Sequence, residues 1–208
     1  MSVTIKRPEE LELMREAGKI LAKVHEQLGN ELRPGMSTYE IDRIGEEMIR
    51  SFGCEPSFKN YCGYPASVCV SIDVEVVLGI PCKEKYAAAG RHLYEISGAI
   101  GSYAESFGYG VVRDLCGHGI VTHLHEEPDI PNFKKFRRGI KLKSGMTLAV
   151  EPMINIGTPD VLWLDDEWTV ITADMSLSAH YENTIIITEG RPEILTLTDS
   201  EIAAHIWE

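Results

Sequence analysis

Two glutamates interrupt the most apolar segments in the second half of the chain. Glu151 lies within the run 147–155, and Glu182 shortly precedes the aliphatic run 185–187. Both runs have the β-branched and aliphatic composition of buried strands. A buried carboxylate needs a cation or hydrogen-bond donors as partner, which an ordinary ion pair could supply for either acid alone. Two acids on separate strands repel each other unless a proton or a metal ion lies between them, so the pair favours a metal site.

Histidines in the same region could complete such a site. His118 stands between two glycines, which allow close approach of the backbone. With Glu151 and Glu182 it forms a nitrogen and oxygen ligand set that leaves a position open for water. His125, seven residues later, is suited to orient a substrate or to stabilise charge on a carbonyl. His123 and His180 are also near in sequence, but no role is assigned to them.

Composition limits the classes of partner. The 208 residues carry 32 acidic and 20 basic side chains, a formal net charge of −12. This acidity argues against a nucleic-acid or anionic-membrane surface, and the basic cluster 134–143 is interpreted as a solvated loop. An odd number of cysteines without a Cys-x-x-Cys pair favours free thiols. With no apolar run suited to a signal peptide or a membrane span, we expect a cytoplasmic protein.

Apolar periodicity predicts an α+β fold. Helices are predicted to begin at Pro8, at Ser37, near Leu93 and at Thr198, with capping boxes at the second and the last. The buried face of the first helix is predicted to contain Met14, Ala17, Leu21, Val24 and Leu28. Strands are predicted at 66–72, 74–80, 109–113, 147–155, 168–172, 180–188 and 193–195. No linker or repeat separates the halves, so the pattern predicts one domain with helices packed on a mainly antiparallel sheet.

Several motifs together resemble the type I methionine aminopeptidases over the whole chain. They include Gly117-His-Gly-Ile120, Leu124-His-Glu-Glu-Pro128, Gly145-Met-Thr-Leu-Ala-Val-Glu-Pro-Met153 and Ser176-Leu-Ser-Ala-His-Tyr-Glu-Asn-Thr184. The resemblance implies the pita-bread fold, with an N-terminal αβ half at about 1–108 and a C-terminal half at about 109–208. The implied activity is removal of N-terminal methionine from peptides or nascent chains.

The resemblance also implies roles for individual residues. His118, Glu151 and Glu182 match metal ligands, and Glu151 matches the residue that moves a proton for the attacking water. His125 matches the histidine that contacts the substrate carbonyl. The methionine pocket is implied to consist of Tyr61, Tyr64, Cys69 and Trp168. Aromatic rings and a thiol suit a thioether side chain, although the same residue types also serve as ordinary core packing.

The resemblance fails in the first half of the chain. After Gly79-Ile-Pro81 the sequence passes directly to the third helix, where the family has two further strands and a helix. Two aspartate ligands of the family are absent with that block, and Leu78 replaces a family histidine. Asp73 and Glu75 are not expected to replace them. We therefore expect one divalent ion (Co, Mn, Fe or Zn) rather than two.

Two alternatives to an active aminopeptidase are consistent with the sequence. One is a catalytically degenerate pita-bread scaffold that binds peptide termini or a protein partner, with no metal required. The other is a proline dipeptidase of the same superfamily, which is less favoured because those enzymes usually carry an additional N-terminal domain. The sequence makes no prediction of oligomeric state.

Overall fold

The computed structural model describes residues 5–33, 36–70 and 88–203. Its helices are α1 (Pro8–Glu31), α2 (Thr38–Ser51), α3 (Leu93–Ser106) and α4 (Asp199–Ala203), with a 3-10 helix at Tyr61–Gly63. Its strands are β1 (Gly110–Val111), β2 (Gly117–Gly119), β3 (Glu126–Ile130), β4 (Thr147–Val150), β5 (Met153–Asn155), β6 (Val161–Trp163), β7 (Val170–Thr172), β8 (Ser178–His180), β9 (Asn183–Ile186) and β10 (Glu193–Ile194). The α+β prediction is confirmed, and every pairing between these strands is antiparallel.

The chain divides into two compact units. The sheet unit contains the described residues of Met1–Leu11 and Ser71–Leu195, and the helical unit those of Glu12–Val70 and Thr196–Glu208. The division into halves near residue 108 stays a prediction. No helix among the described residues is long and apolar enough to cross a membrane. The cysteines that the structure describes carry thiols, as expected, while Cys82 lies outside the described residues.

Local signals determine the helix ends. Ser37 and Glu40 form the predicted capping box on α2, in which each side chain accepts a hydrogen bond from the other's backbone N–H. Thr198 and Glu201 form the same arrangement on α4. The buried face of α1 differs from the predicted one: Gly18, Ala22, Val24 and Leu28 are buried, whereas Ala17 and Leu21 are exposed.

One predicted strand is wrong in its described part. Residues 66–70 form no strand, and 71–80, with all of the second predicted strand, lie outside the described residues. The backbone N–H groups of Ser67 and Val68 donate to the Asp42 carboxylate on α2, at 2.7 and 2.8 Å. The Asp42 side chain thus accepts the backbone hydrogen bonds that a neighbouring strand would otherwise accept. An alternating apolar pattern does not reveal such a distant acceptor.

The sheet unit contains three sheets. The largest has five strands in the order β10-β9-β4-β2-β3, the second has β1-β5-β8, and β6 pairs with β7 as a hairpin. Helix α3 packs on the five-stranded sheet. The core between them consists of Leu93, Ile96, Ile130, Leu142, Met146, Leu148, Ile185 and Ile187. Full burial of each such Leu, Ile or Met side chain contributes roughly 1.5–3 kcal/mol, which makes this sheet a firm support for groups on it.

Three strands were not predicted from the sequence, and a fourth, β8, meets the predicted strand 180–188 only at His180. Strand β2 is the sequence Gly-His-Gly, β3 contains Pro128, and β6 is only three residues long. Glycine and proline have low β propensity, so local composition argues against the first two. The sheet forms there because β2 is enclosed between β3 and β4, and pairing on both sides outweighs local preference.

Candidate metal centre

Two long strand segments each break in the middle at a glutamate. The predicted strand 147–155 is split into β4 and β5 at Glu151-Pro152, and the segment 178–186 is split into β8 and β9 at Tyr181-Glu182. Because Pro152 has no N–H, the ladder cannot continue through it. The two halves then join different sheets: β4 pairs with β9, and β5 pairs with β8.

The register brings the two glutamates opposite each other. Val150 pairs with Asn183 on one side of the break, and Met153 pairs with His180 on the other. Counting inward from either pair places Glu151 opposite Glu182. The N–H of Tyr181 donates to the carbonyl of Pro152 across this junction, at 3.3 Å.

Both imidazoles approach the glutamates at this junction. His118 in β2 pairs with Ala149, which stands two residues before Glu151. His180 stands two residues before Glu182. Although both segments are interrupted at the glutamates, the observed distances bring the two histidines and the two glutamates together.

The Glu151 carboxyl lies between two imidazole rings. Its Oε1 is 3.4 Å from Nε2 of His118, and its Oε2 is 3.1 Å from Nε2 of His180. Glu151, His180 and Glu182 each offer a ligand atom within 4.8 Å of the other two. Such spacing suits a shared divalent ion, and the mixture of imidazole nitrogen and carboxylate oxygen suits the borderline transition metals.

Burial disfavours charge on all four groups. It raises the pKa of Glu151 to about 8 and lowers the pKa values of His118 and His180 to about 4 each. Desolvation of its carboxyl group, and then the negative charge of Glu151, raise the pKa of Glu182 to about 7, although the residue as a whole is exposed. Two acids held this close thus retain protons near neutrality, and a cation is the natural replacement for those protons.

Neighbouring groups position the site. Nδ1 of His118 lies 2.9 Å from the carbonyl oxygen of Gly119; as a donor there, it leaves the Nε2 lone pair directed toward Glu151. The buried amide of Asn132 donates to the carbonyl of Glu151 at 3.0 Å. A Cβ at Gly117 would collide with the carbonyl oxygen of Ala149, so only glycine allows β2 to lie this close to β4.

His125 is held beside this cluster by a buried ion pair. Glu126 follows it directly and accepts a 3.0 Å hydrogen bond from Nζ of Lys6, whose side chain is only 4% exposed. The other oxygen of Glu126 accepts from the N–H groups of Thr122 and His123, at 2.7 and 3.0 Å. The segment that carries His125 is therefore anchored at Glu126, a contact that the sequence did not predict.

The residues predicted to line a methionine pocket fall in both units. Tyr61 and Tyr64 flank Phe58 in the helical unit, where the rings of Phe58 and Tyr64 meet at 4.5 Å. Cys69, in the same unit, is exposed. Trp168 belongs to the sheet unit, in the turn between β6 and β7, with its side chain 40% exposed. Their assignment to a pocket stays a prediction.

The structure brings one further donor close to the predicted ligands. Of the three predicted ligands, Glu151 and Glu182 lie in the close group, and His118 contacts Glu151 from its other side. His180, to which the sequence assigned no role, completes the close group. Its i, i+2 spacing from Glu182 was the available signal, because that spacing places both side chains on one face of a strand. Asp73, Glu75 and Leu78 lie outside the described residues.

Comparisons with known proteins agree with this geometry. The model of metallopeptidase family M24 matches residues 12–89 and 82–189. A methionine aminopeptidase from Clostridium acetobutylicum is 39% identical, with 95% of this chain and 100% of that protein covered. That alignment runs over 249 positions for a chain of 208 residues, so about 50 positions of the relative have no counterpart here. The two family matches meet at 82–89, where the sequence predicts the missing block.

Solved structures confirm the pita-bread architecture. The crystal structure of methionine aminopeptidase from Thermotoga maritima matches with a TM-score of 0.88 and 32% identity, covering 94% of this chain and 100% of that one. The prolidase of Pyrococcus horikoshii matches with a TM-score of 0.64 at 18% identity, which shows the shared fold alone; this chain covers 64% of it. Sequence, family match and architecture together show that this chain, although shortened, belongs to metallopeptidase family M24 and is a metallohydrolase.

Proposed function

We propose that this protein is a methionine aminopeptidase, which removes the N-terminal methionine of peptides or nascent chains. The observation that carries this proposal is the convergence of Glu151 and Glu182 with imidazole donors at the junction of two sheets. The relatives' names and their coverage of nearly the whole chain support the choice of reaction and substrate. A cytoplasmic location follows from a nascent-chain substrate and is part of the same proposal.

The donor set fits one divalent ion. Glu151 and Glu182 provide the carboxylates, and His118, whose Nε2 is directed toward Glu151, provides a nitrogen. Cobalt, manganese, iron and zinc all accept such a mixture, so the ligands alone do not select one of them. When bound, the ion supplies Lewis acidity, which activates a water molecule at neutral pH and polarises a peptide carbonyl.

Glu151 is suited to proton transfer in this reaction. In the metal-free protein, burial raises the pKa of Glu151 to about 8, and a bound cation would displace that proton and leave the carboxylate form in the site. It can therefore accept a proton from the attacking water and return it to the leaving amine. Its backbone is held by Asn132, so the carboxyl is positioned before substrate binds.

His125 and the aromatic residues are assigned to the substrate. The His125 ring adjoins that of His118 and can donate a hydrogen bond to the scissile carbonyl oxygen as negative charge develops there. Tyr61, Tyr64, Cys69 and Trp168 are proposed to surround the methionine side chain, because aromatic faces and sulfur interact favourably with a thioether.

The test combines metal content with turnover. Purified protein is analysed for bound metal and assayed for methionine release from a Met-Gly-Met peptide with each of the four ions. We expect about one equivalent of metal and measurable release. Glu151→Gln should abolish release, by a factor of at least about 10³, if it removes both a ligand and the proton acceptor. His25→Gln changes an exposed histidine on α1 and serves as the control, with activity retained.

The same experiment tests the alternative of a degenerate scaffold. The loss of about 50 residues relative to the aminopeptidases is the observation that favours this alternative. A protein that binds Met-Gly-Met but releases no methionine with any of the four ions would contradict the proposed activity and support the scaffold. Release that is equal in wild type and in Glu151→Gln would contradict the assigned mechanism.

A further inference from the structure

We propose that His180 is a ligand of the metal ion held by Glu151 and Glu182, contributing its Nε2 to a site with two imidazoles and two carboxylates. This inference rests on the proposed function, because it concerns the same ion. It adds a residue that neither the sequence motifs nor the family resemblance assigned. It also implies that the shortened chain carries, within its second half, a nitrogen donor in addition to His118.

The His180 ring lies as close to Glu151 as the His118 ring does. Nε2 of His180 lies 3.1 Å from Oε2 of Glu151, while Nε2 of His118 lies 3.4 Å from Oε1. One imidazole therefore faces each oxygen of the same carboxyl. Among the described residues, the three that offer mutually close ligand atoms are Glu151, His180 and Glu182. By distance, His180 therefore belongs to a ligand set around Glu151 and Glu182 at least as well as His118 does.

The His180 ring has no hydrogen-bond partner among the described residues. Both ring nitrogens are buried, and neither makes a hydrogen bond with any residue that the structure describes. The 3.1 Å approach to Glu151 does not have hydrogen-bond geometry. A buried polar atom without a partner lowers stability, and such an atom at a functional site indicates an ion or a ligand. Coordination would satisfy Nε2.

His180 and Glu182 lie close together in the same chain segment. His180 is the last residue of β8, paired with Met153, and Glu182 follows two residues later, just before β9. Although the strand is interrupted between them, their ligand atoms lie within 4.8 Å of each other. A ligand pair at i and i+2 requires no movement of the strand to reach a shared ion. Rigid support from neighbouring strands favours a well-defined site.

X-ray absorption spectroscopy of the zinc-loaded protein tests this proposal directly, because it counts coordinated imidazoles. With one equivalent of Zn²⁺, we expect two imidazoles in wild type and one fewer in His180→Gln. His25→Gln, which removes an exposed histidine from α1, should leave the count unchanged. Zinc titration should show at least a tenfold loss of affinity in His180→Gln and none in His25→Gln. Circular dichroism of the metal-free proteins verifies the fold.

A second variant distinguishes the loss of a metal ligand from a folding defect. In His180→Ala, added free imidazole should enter the vacated space and restore zinc affinity, whereas it should not improve wild type. An imidazole count and zinc affinity that are unchanged in His180→Gln would overturn the proposal. So would a wild-type protein that binds no zinc.

Methionine release measured on the same samples separates this inference from the proposed function. Zinc binding that depends on His180, without release of methionine by any of the four ions, would support the ligand and contradict the aminopeptidase activity. Release of methionine with zinc binding that is insensitive to His180→Gln would support the activity and contradict the ligand.

Discussion

The imidazole rings of His118 and His125 meet edge to face, with 4.1 Å between centroids and 60° between ring planes. His118 belongs to β2 and faces Glu151, whereas His125 directly precedes β3. The pairing of β2 with β3 thus connects a proposed metal ligand to a proposed substrate contact. Any shift between these strands would change the distance between the proposed metal site and the proposed substrate contact.

His125→Asn is expected to lower kcat for a methionyl peptide by about 10²-fold or more, because a positioned proton donor or hydrogen-bond donor contributes that much to rate. Metal affinity should change little, since His125 is not assigned to the ion. Steady-state kinetics and zinc titration measure the two effects. His123→Asn, at an exposed neighbouring position, is the matched control and should retain wild-type kcat. Equal activity of both variants would contradict the role of His125.

The metal-free protein is expected to lose stability as pH rises from 6.5 to about 8. Glu151 and Glu182 have folded pKa values of about 8 and about 7, above the ordinary value of 4.5. Between their unfolded and folded pKa values the folded state binds more protons than the unfolded state, so the free energy of unfolding falls with rising pH. Below pH 6.5 the lowered pKa values of His118 and His180 act in the opposite direction.

Urea denaturation of the metal-free protein at several pH values measures this effect. Glu151→Gln mimics the protonated acid and should make the decline between pH 6.5 and 8 less steep. Saturating metal should reverse the trend, because binding requires the deprotonated carboxylates and becomes tighter as pH rises. A metal-free wild type whose stability is constant or increases over this range would show that the two acids are not held in their protonated forms.

The buried ion pair between Lys6 and Glu126 is expected to contribute far more to the free energy of unfolding than an exposed ion pair does. Glu126→Gln leaves the Lys6 ammonium buried without its counter-ion, and loss of one partner of such a pair costs about 3 kcal/mol. Glu105→Gln removes the partner of Arg113 in an exposed pair at 3.9 Å, where a change within about 0.5 kcal/mol is expected. Thermal unfolding compares the two. Comparable losses would mean that Lys6 finds another partner.

Gly117→Ala is expected to destabilise the protein and to weaken metal binding. The added Cβ would collide with the carbonyl oxygen of Ala149 and approach Cγ of Glu151 to 3.3 Å, so β2 and His118 must move away. Gly29→Ala, in α1, adds a Cβ where no atom lies within 4 Å and should raise stability by about 0.5–1 kcal/mol. Denaturation and zinc titration of both variants provide the measurement. Unchanged zinc affinity in Gly117→Ala would show that β2 tolerates the displacement.

Local patterns predicted the elements whose stability is local. The capping boxes at Ser37 and Thr198 formed as expected, because each uses donors and acceptors within four residues. The predicted strand at 66–72 was wrong in its described part, since Asp42, about 25 residues away, accepts its backbone N–H groups. The first helix buries Val24 and Leu28 as predicted, but Gly18 and Ala22 in place of Ala17 and Leu21, because which residues of an amphipathic helix become buried depends on what packs against it.

Amino-acid sequence alone indicated that Glu151 and Glu182 adjoin apolar strands and therefore need a cation, a proton or donors, since this requirement follows from the energy of burying charge. It also indicated the shortened first half, because a missing block is visible in the order of the motifs. Tertiary structure alone decided which histidines meet the acids. Strand register across the β4–β5 and β8–β9 breaks brings Glu151 opposite Glu182 and carries His180 into the site. Register depends on pairing between distant segments, and no local pattern specifies it.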